Sequence, residues 1–237
     1  MNGIGGPIND ECGDGPANYG ARVATRPWLM LVTGRELISS ADPAGSEDRL
    51  LGILAAAAAG GVDLVQLREK DLDPGRLASL ARRVRSAIPG SVRLIVNGSF
   101  ETATAGHADG VHYPESAAVG EAKIFRSKVA NRLSGRSIHS LLAAIRAADE
   151  GMDYLIAGSI YETSSHPGAA SQGIDFLRRV CQAVPIPVLA IGGITPQRAP
   201  ECLSAGAIGV AVRSPILTAG DPEHAAREYR RALDAEL

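Results

Sequence analysis

Lysine is scarce in this chain, occurring only at Lys70, Lys123 and Lys128 among 237 residues. No Lys/Arg-rich run offsets the net charge of −2, so the electrostatic footprint of a nucleic-acid binder is missing. Aromatic residues make up 4%, too few to build a platform for stacked bases. The three cysteines, Cys12, Cys181 and Cys202, form no CxxC pair, and their odd count excludes a disulfide framework. Cys181 and Cys202 stand in apolar, helix-like surroundings and read as buried thiols. No apolar stretch reaches the roughly 18 residues of a membrane span. The N-terminus lacks the basic-then-apolar order of a secretory signal. These absences point to a cytoplasmic protein with no nucleic-acid or membrane partner.

What is present is a core-forming composition, 45% hydrophobic and 21% charged. Residues 1–27 are rich in Gly, Pro, Asn and Asp, have no apolar period, and read as a flexible extension. From 28 to 237 a regular beat appears. Strands are expected at Trp28–Thr33, Leu64–Arg68, Arg93–Asn97, Gly110–Tyr113, Arg136–His139, Tyr154–Ser159, Val188–Ile191 and Gly209–Val212. Helices are expected at Ser46–Ala59, Pro74–Ile88, Leu141–Glu150, Ile174–Val184, Pro196–Ala205 and Pro222–Leu237. The links after strands 3 and 4 carry no clear helical pattern. Ser46, Asp73 and Thr195 have the look of helix N-caps, and Gly60-Gly61 and Gly151 of C-terminal stops. Strand–helix alternation predicts a parallel sheet covered by helices. Eight strands favour closure into a single α/β (β/α)8 TIM barrel.

In such a barrel the chemistry sits at the C-terminal strand ends. Strands 7 and 8 end in Gly192-Gly193 and Arg213-Ser214, and a cup of backbone N–H groups there suits a phosphate ester. A ligand-free turn is the plain alternative. On strand 2, Gln66, Arg68 and Lys70 share the face opposite Val65 and Leu67. A bound anion would account for Arg68 and Lys70; an internal salt bridge with Glu69 is the alternative. Asn97 ends strand 3 as a donor and acceptor, or as an Asn-Gly turn residue. Ser137 and His139 share one face near the end of strand 5, where a histidine can shuttle protons; a packing histidine is the alternative. One of His112 and Tyr113 faces inward. His107 and His224 read as solvent-exposed. The long polar segment 161–173 reads as a mobile loop offering Thr163, Ser165 and His166 to a phosphate, or as plain surface. No metal-ligand spacing appears, and no paired carboxylates follow strands 3 and 4.

Six stretches, in this order and spacing, carry a resemblance. They are Val65-Gln-Leu-Arg-Glu-Lys70, Ala108-Asp-Gly-Val-His112, Ser137-Ile-His-Ser140, Gly158-Ser-Ile-Tyr-Glu-Thr163, Ala190-Ile-Gly-Gly-Ile194 and Ala205-Gly-Ala-Ile-Gly-Val-Ala-Val212. Over Trp28 to Ala226 the chain resembles the thiamine phosphate synthase / TenI family of barrels. The resemblance implies one of two activities. The synthase branch joins a hydroxymethylpyrimidine diphosphate to a thiazole phosphate, with magnesium. The TenI branch includes metal-independent thiazole tautomerases. The magnesium carboxylates of the synthase pattern are replaced by Gly98 and Ala117, with Glu115 out of register, and His166-Pro167 replaces the lysine of the loop after strand 6. The Ser-Ile-His-Ser stretch resembles the tautomerase branch. The expectation is therefore a thiazole tautomerase, an isomerase without cofactor. His139 would be the general acid/base, and Arg68 and Lys70 would hold the ring carboxylate. A divergent magnesium-dependent synthase and a non-catalytic binder of thiazole or thiamine phosphate are the alternatives. The implied partner is a phosphorylated thiazole, and a homodimer is the implied assembly.

Overall fold

The structure, a computed structural model, describes residues 26–38, 43–117, 132–163 and 170–235. Eight parallel strands close into a barrel in sequence order. They are β1 Trp28–Val32, β2 Leu64–Leu67, β3 Arg93–Asn97, β4 Gly110–Tyr113, β5 Leu133–Ile138, β6 Tyr154–Gly158, β7 Val188–Ile191 and β8 Gly209–Val212. Around them lie α1 Pro43–Ala59, α2 Pro74–Ala87, α3 Phe100–Ala105, α4 Leu141–Asp149, α5 Gly173–Ala183, α6 Ala199–Ser204, α7 Ser214–Leu217 and α8 Pro222–Asp234. The expected (β/α)8 barrel is the observed one. No helix among the described residues is long and apolar enough to cross a membrane. Most of the expected extension, residues 1–25, lies outside the described residues.

Several boundaries differ from expectation for local reasons. Helix α3 shows no apolar period because six residues, two of them threonine, are too short to display one; Ser99 caps it by accepting from Thr102 N–H. Helix α1 starts at Pro43, so Ser46 sits inside it and is buried rather than capping it. Helix α6 starts at Ala199 because the Thr195 carbonyl first closes a turn with the amides of Arg198 and Ala199. Strand β5 begins at Leu133 and ends at Ile138, which leaves His139 beyond it. Asp73 caps α2 as expected, accepting from Arg76 N–H at 3.0 Å.

Alternation sorts each strand between two cores. Leu29, Leu31, Val65, Leu67, Leu94 and Val96 point outward to the helices. Trp28, Met30, Leu64, Ile95, Leu133, Tyr154, Ile156 and Leu189 fill the barrel. The filling works because small residues face large ones. A Cβ at Gly135 would overlap the Tyr154 ring, and one at Gly209 would overlap the Trp28 backbone.

The bottom of the barrel carries a repeated clasp. Asp63, Asp109 and Asp153 each immediately precede an even-numbered strand. Their carboxylates accept the amides of Leu29, Leu94 and Ser134 on the preceding odd strand, at 2.7–2.9 Å. Each aspartate amide donates back to the carbonyl of the same residue. Arg230 and Arg85 secure two of these carboxylates from outside.

These contacts set two expectations for thermal and urea unfolding. Gly135→Ala overpacks the barrel against Tyr154 and lowers stability by about 1–3 kcal/mol. Gly52→Ala, on the exposed side of α1 with nothing within 4 Å of the new methyl, raises it by about 0.5–1 kcal/mol.

Candidate active site

Above the apolar filling lies a polar layer. Gln66 and His112 are buried and Ser137 is half-buried, all on inward positions. His112 is the inward member of its pair; Tyr113 joins the outer core. His112 Nε2 lies 2.8 Å from Ser137 Oγ, and Nδ1 lies 3.1 Å from the Tyr154 hydroxyl. Burial, with the charges of Arg68 and Arg136, pushes His112 down to about 3. The ring is therefore neutral near pH 7 and carries one N–H. Ser137 and Tyr154 cannot both receive a proton from it, so one of them donates to the ring. Either way the Ser137 hydroxyl is held in one orientation at the mouth. Tyr154 also contacts Gln66. The amide nitrogen of Gln66, in contrast, is buried with no hydrogen-bond partner among the described residues. A buried N–H without a partner is costly, and a ligand acceptor relieves it.

The segment after β2 is fixed by Thr33, which is fully buried at the end of β1. Its hydroxyl accepts from the Arg68 amide at 2.9 Å and donates to Glu69 at 2.5 Å. Glu69 also accepts from the backbone and side chain of Arg35. Burial raises the Glu69 carboxyl, while Thr33 and Arg35 pull it back down. Glu69 thus turns to the β1 loop, and the expected alternative of a salt bridge with Arg68 or Lys70 is not what forms. Lys70 is exposed in the following turn, so it does not share the interior with Gln66.

On the far side, Gly192 and Gly193 adopt φ of 101° and 62°, conformations that disfavour other residues. The carbonyl of Gly192 accepts from Tyr161 N–H, and that of Gly193 from Arg198. Arg198 lies over the Tyr161 ring at 4.6 Å. The turn is therefore braced from outside, and α7 begins at Ser214 beside it. Arg213 supplies its backbone here, but its side chain leaves the cup. The guanidinium donates to the Thr33 carbonyl and pairs with Glu36.

Of the expected residues, Gln66, Asn97 and Ser137 stand on inward strand positions, and Arg68 follows at the end of β2. Thr163 ends the described part of the loop after β6; Ser165 and His166 lie outside the described residues. His139 and Ser137 do not share a strand face, since β5 ends at Ile138, and they have different hydrogen-bond partners. His139 is exposed past β5, its Nδ1 2.6 Å from the Gly158 carbonyl and its Nε2 4.0 Å from Glu115. The pairing of His112 with Ser137 and Tyr154 was not anticipated. Its signal was parity: Gly110 and Gly135 sit two residues before His112 and Ser137, on the inner face where small residues make room. Glu36 and Gly34 carried no such signal.

Among the described residues the implied magnesium carboxylates have no counterpart. Gly98 offers space for a side chain, its nearest neighbour 3.5 Å from a built Cβ, but no oxygen. Ala117 closes a turn on the Pro114 carbonyl. Glu115 is the acidic side chain reaching His139, and the described residues hold no cluster of three or more metal-ligating groups. The residues present do not fit a two-carboxylate metal site.

A family model described as thiamine monophosphate synthase matches residues 29–216. A thiamine-phosphate synthase of Geobacillus kaustophilus is 40% identical over 198 residues, covering 80% of this chain and 88% of that protein. One of Chloroflexus aurantiacus is 38% identical over 180 residues, covering 75% and 82%. The solved structure of thiamine phosphate pyrophosphorylase from Pyrococcus furiosus aligns with a TM-score of 0.75 at 27% identity, covering 93% and 98%. These relatives carry the name of the condensing enzyme. That overturns the expected tautomerase and its isomerase assignment. The missing carboxylates and the Ser-Ile-His-Ser stretch are local departures within a chain that matches the synthases over most of its length.

The polar layer makes a pH prediction. Unfolded, His112 takes a proton near pH 6.5; folded, it refuses one until about 3. Stability therefore falls as pH drops through that window, by up to about 1.4 kcal/mol per pH unit from this group. Urea unfolding between pH 6 and 4 checks it. The slope of stability against pH should shrink by one proton in His112→Gln, and equal slopes in both proteins would refute the assignment.

Proposed function

This chain belongs to the thiamine monophosphate synthase family, and we propose that it joins a hydroxymethylpyrimidine diphosphate to a thiazole phosphate, releasing diphosphate. The identity to proteins of that name over most of both chains carries the reading. In the reaction the C–O bond between the pyrimidine methylene and the diphosphate breaks, and its electron pair leaves with the diphosphate. The thiazole nitrogen donates its lone pair to the methylene and forms the new C–N bond. The protein must hold two anionic groups apart, with two rings facing each other between them.

The strand ends divide this work. Backbone groups around Gly192, Gly193, Arg213 and Ser214 take the thiazole phosphate, with Thr163 at the start of the loop beside them. Arg68, Lys70, Asn97 and Ser137 take the diphosphate. The buried Gln66 amide gives its free N–H to the pyrimidine ring. His112 acts through Ser137 and is a positioning residue. The exchange moves no ring proton, so His139 contributes to diphosphate binding rather than to acid/base chemistry. The charge of the leaving group falls to Arg68 and Lys70, in the segment that follows β2.

The test is direct. With both substrates, thiamine phosphate and diphosphate should form in equal amounts, and neither substrate alone should give product; no product from the pair refutes the reading. His139→Ala should retain turnover to within about tenfold, whereas a true acid/base role predicts a loss of about a hundredfold or more. Gly193→Val, which drives a side chain into the Glu162 backbone and strains a positive φ, should raise the KM for thiazole phosphate by about tenfold or more.

A further inference from the structure

Arg213 ends β8, yet its guanidinium lies across the loop after β1. Its Nε donates to the Thr33 carbonyl at 3.3 Å, and its Nη2 pairs with the carboxylate of Glu36. The group occupies the space above Gly34, where any Cβ would collide with it. Gly34 has φ of 178°, extended backbone open to all residues. The guanidinium, the flexible end of a long side chain, fills the space that a Cβ at position 34 would take. Arg68 reaches the same threonine from the other side, its amide bound to the Thr33 hydroxyl at 2.9 Å. The backbone of Arg68, just past β2, and the side chain of Arg213, just past β8, thus meet at Thr33, the residue that follows β1 between them.

Their charges are poorly matched by the protein. Among the described residues the Arg68 guanidinium has no hydrogen-bond or ion-pair partner, and Glu69 beside it is committed to Thr33 and Arg35. Burial and the charge of Arg213 push Arg68 down from its ordinary value, and Glu36 and Glu69 offset them only in part. Glu36 is the carboxylate paired with Arg213, and its side chain is 63% exposed. An exposed pair of this kind is weak and readily exchanged, while a multiply charged oxyanion gains from two guanidiniums at once.

We propose that the Arg213 side chain joins Arg68 in an oxyanion site astride β1 that takes the diphosphate group, and that Glu36 holds Arg213 in place until the diphosphate displaces it. The identity of the anion rests on the synthase reading. The glycine cup serves the monoester through backbone, and the Arg213 side chain points away from it, toward the β2 side where the leaving group is held. Arg213 is then a specificity-determining residue, and Glu36 a built-in competitor.

The test measures binding of inorganic diphosphate and of inorganic phosphate by calorimetry, and KM for each substrate, in the wild type, Arg213→Met and Glu36→Gln. Arg213→Met should weaken diphosphate by about tenfold and raise the KM of the pyrimidine diphosphate. Glu36→Gln should tighten diphosphate by about twofold to fivefold, since the competing carboxylate is worth at most about 1 kcal/mol. Unchanged diphosphate binding in Arg213→Met overturns the proposal. So does a rise confined to the KM of thiazole phosphate with matching loss of inorganic phosphate, which would place the side chain in the monoester cup. Weaker diphosphate binding in Glu36→Gln overturns the competitor role. Glu36 is exposed, so its variant decides the question if Arg213→Met does not fold. Diphosphate binding that responds as expected without turnover would remove the synthase reading and leave this site standing.

Discussion

A tyrosine hydroxyl buried in the middle of a closed barrel has to be satisfied, and much of the site follows from that need. Tyr154 fills the interior because Gly135 makes room for its ring. Its hydroxyl, cut off from water and held well above its ordinary ionisation range by burial, takes His112 and Gln66 as neighbours. His112 in turn fixes the Ser137 hydroxyl at the mouth. One packing requirement low in the barrel thus propagates upward into the orientation of a functional group. The chain of contacts runs through neutral atoms, which suits a place where charge is reserved for the ligand.

Charge enters at the rim instead, and Thr33 organises it. Its hydroxyl and carbonyl bind Arg68, Glu69 and Arg213, groups from the ends of β2 and β8. The Thr33 hydroxyl thereby turns one carboxylate away from the mouth and fixes the Arg68 backbone, while the Thr33 carbonyl holds the Arg213 guanidinium. The opposite rim works by another principle, a pair of left-handed glycines whose backbone is braced by Arg198 and Tyr161. The mouth is therefore asymmetric, side-chain cations facing backbone dipoles, which suits the proposed pair of substrates that differ in charge.

The barrel was legible because strand alternation and cap chemistry repeat with little interruption from Trp28 onward. The glycine turn after β7 was legible because Gly192-Gly193 follows a β-branched run, and local chemistry decides such turns. Helix α3 was hidden by its brevity. The roles of Tyr154, Glu36 and Gly34 were hidden for a different reason: each depends on a partner far along the chain, Gly34 on Arg213 above all. Ser137 and His139 share parity, but parity holds only while the strand lasts, and β5 stops at Ile138. The activity was misread in the same way. Two absent carboxylates are a local observation, whereas identity to the synthases is spread over most of the chain.

The three aspartate clasps beneath the barrel join β1 to β2, β3 to β4 and β5 to β6, while Ile208, in the corresponding place before β8, offers no carboxylate. The structural unit is accordingly a stave of two strands, not a single strand. New termini opened between staves, with the old ends joined, would leave every clasp intact; a cut within one of the three clasped staves would part the two strands that its clasp joins. The stave without a clasp is the one that carries the glycine cup. That quarter of the wall relies on its bracing at the top rather than on a fastening at its base.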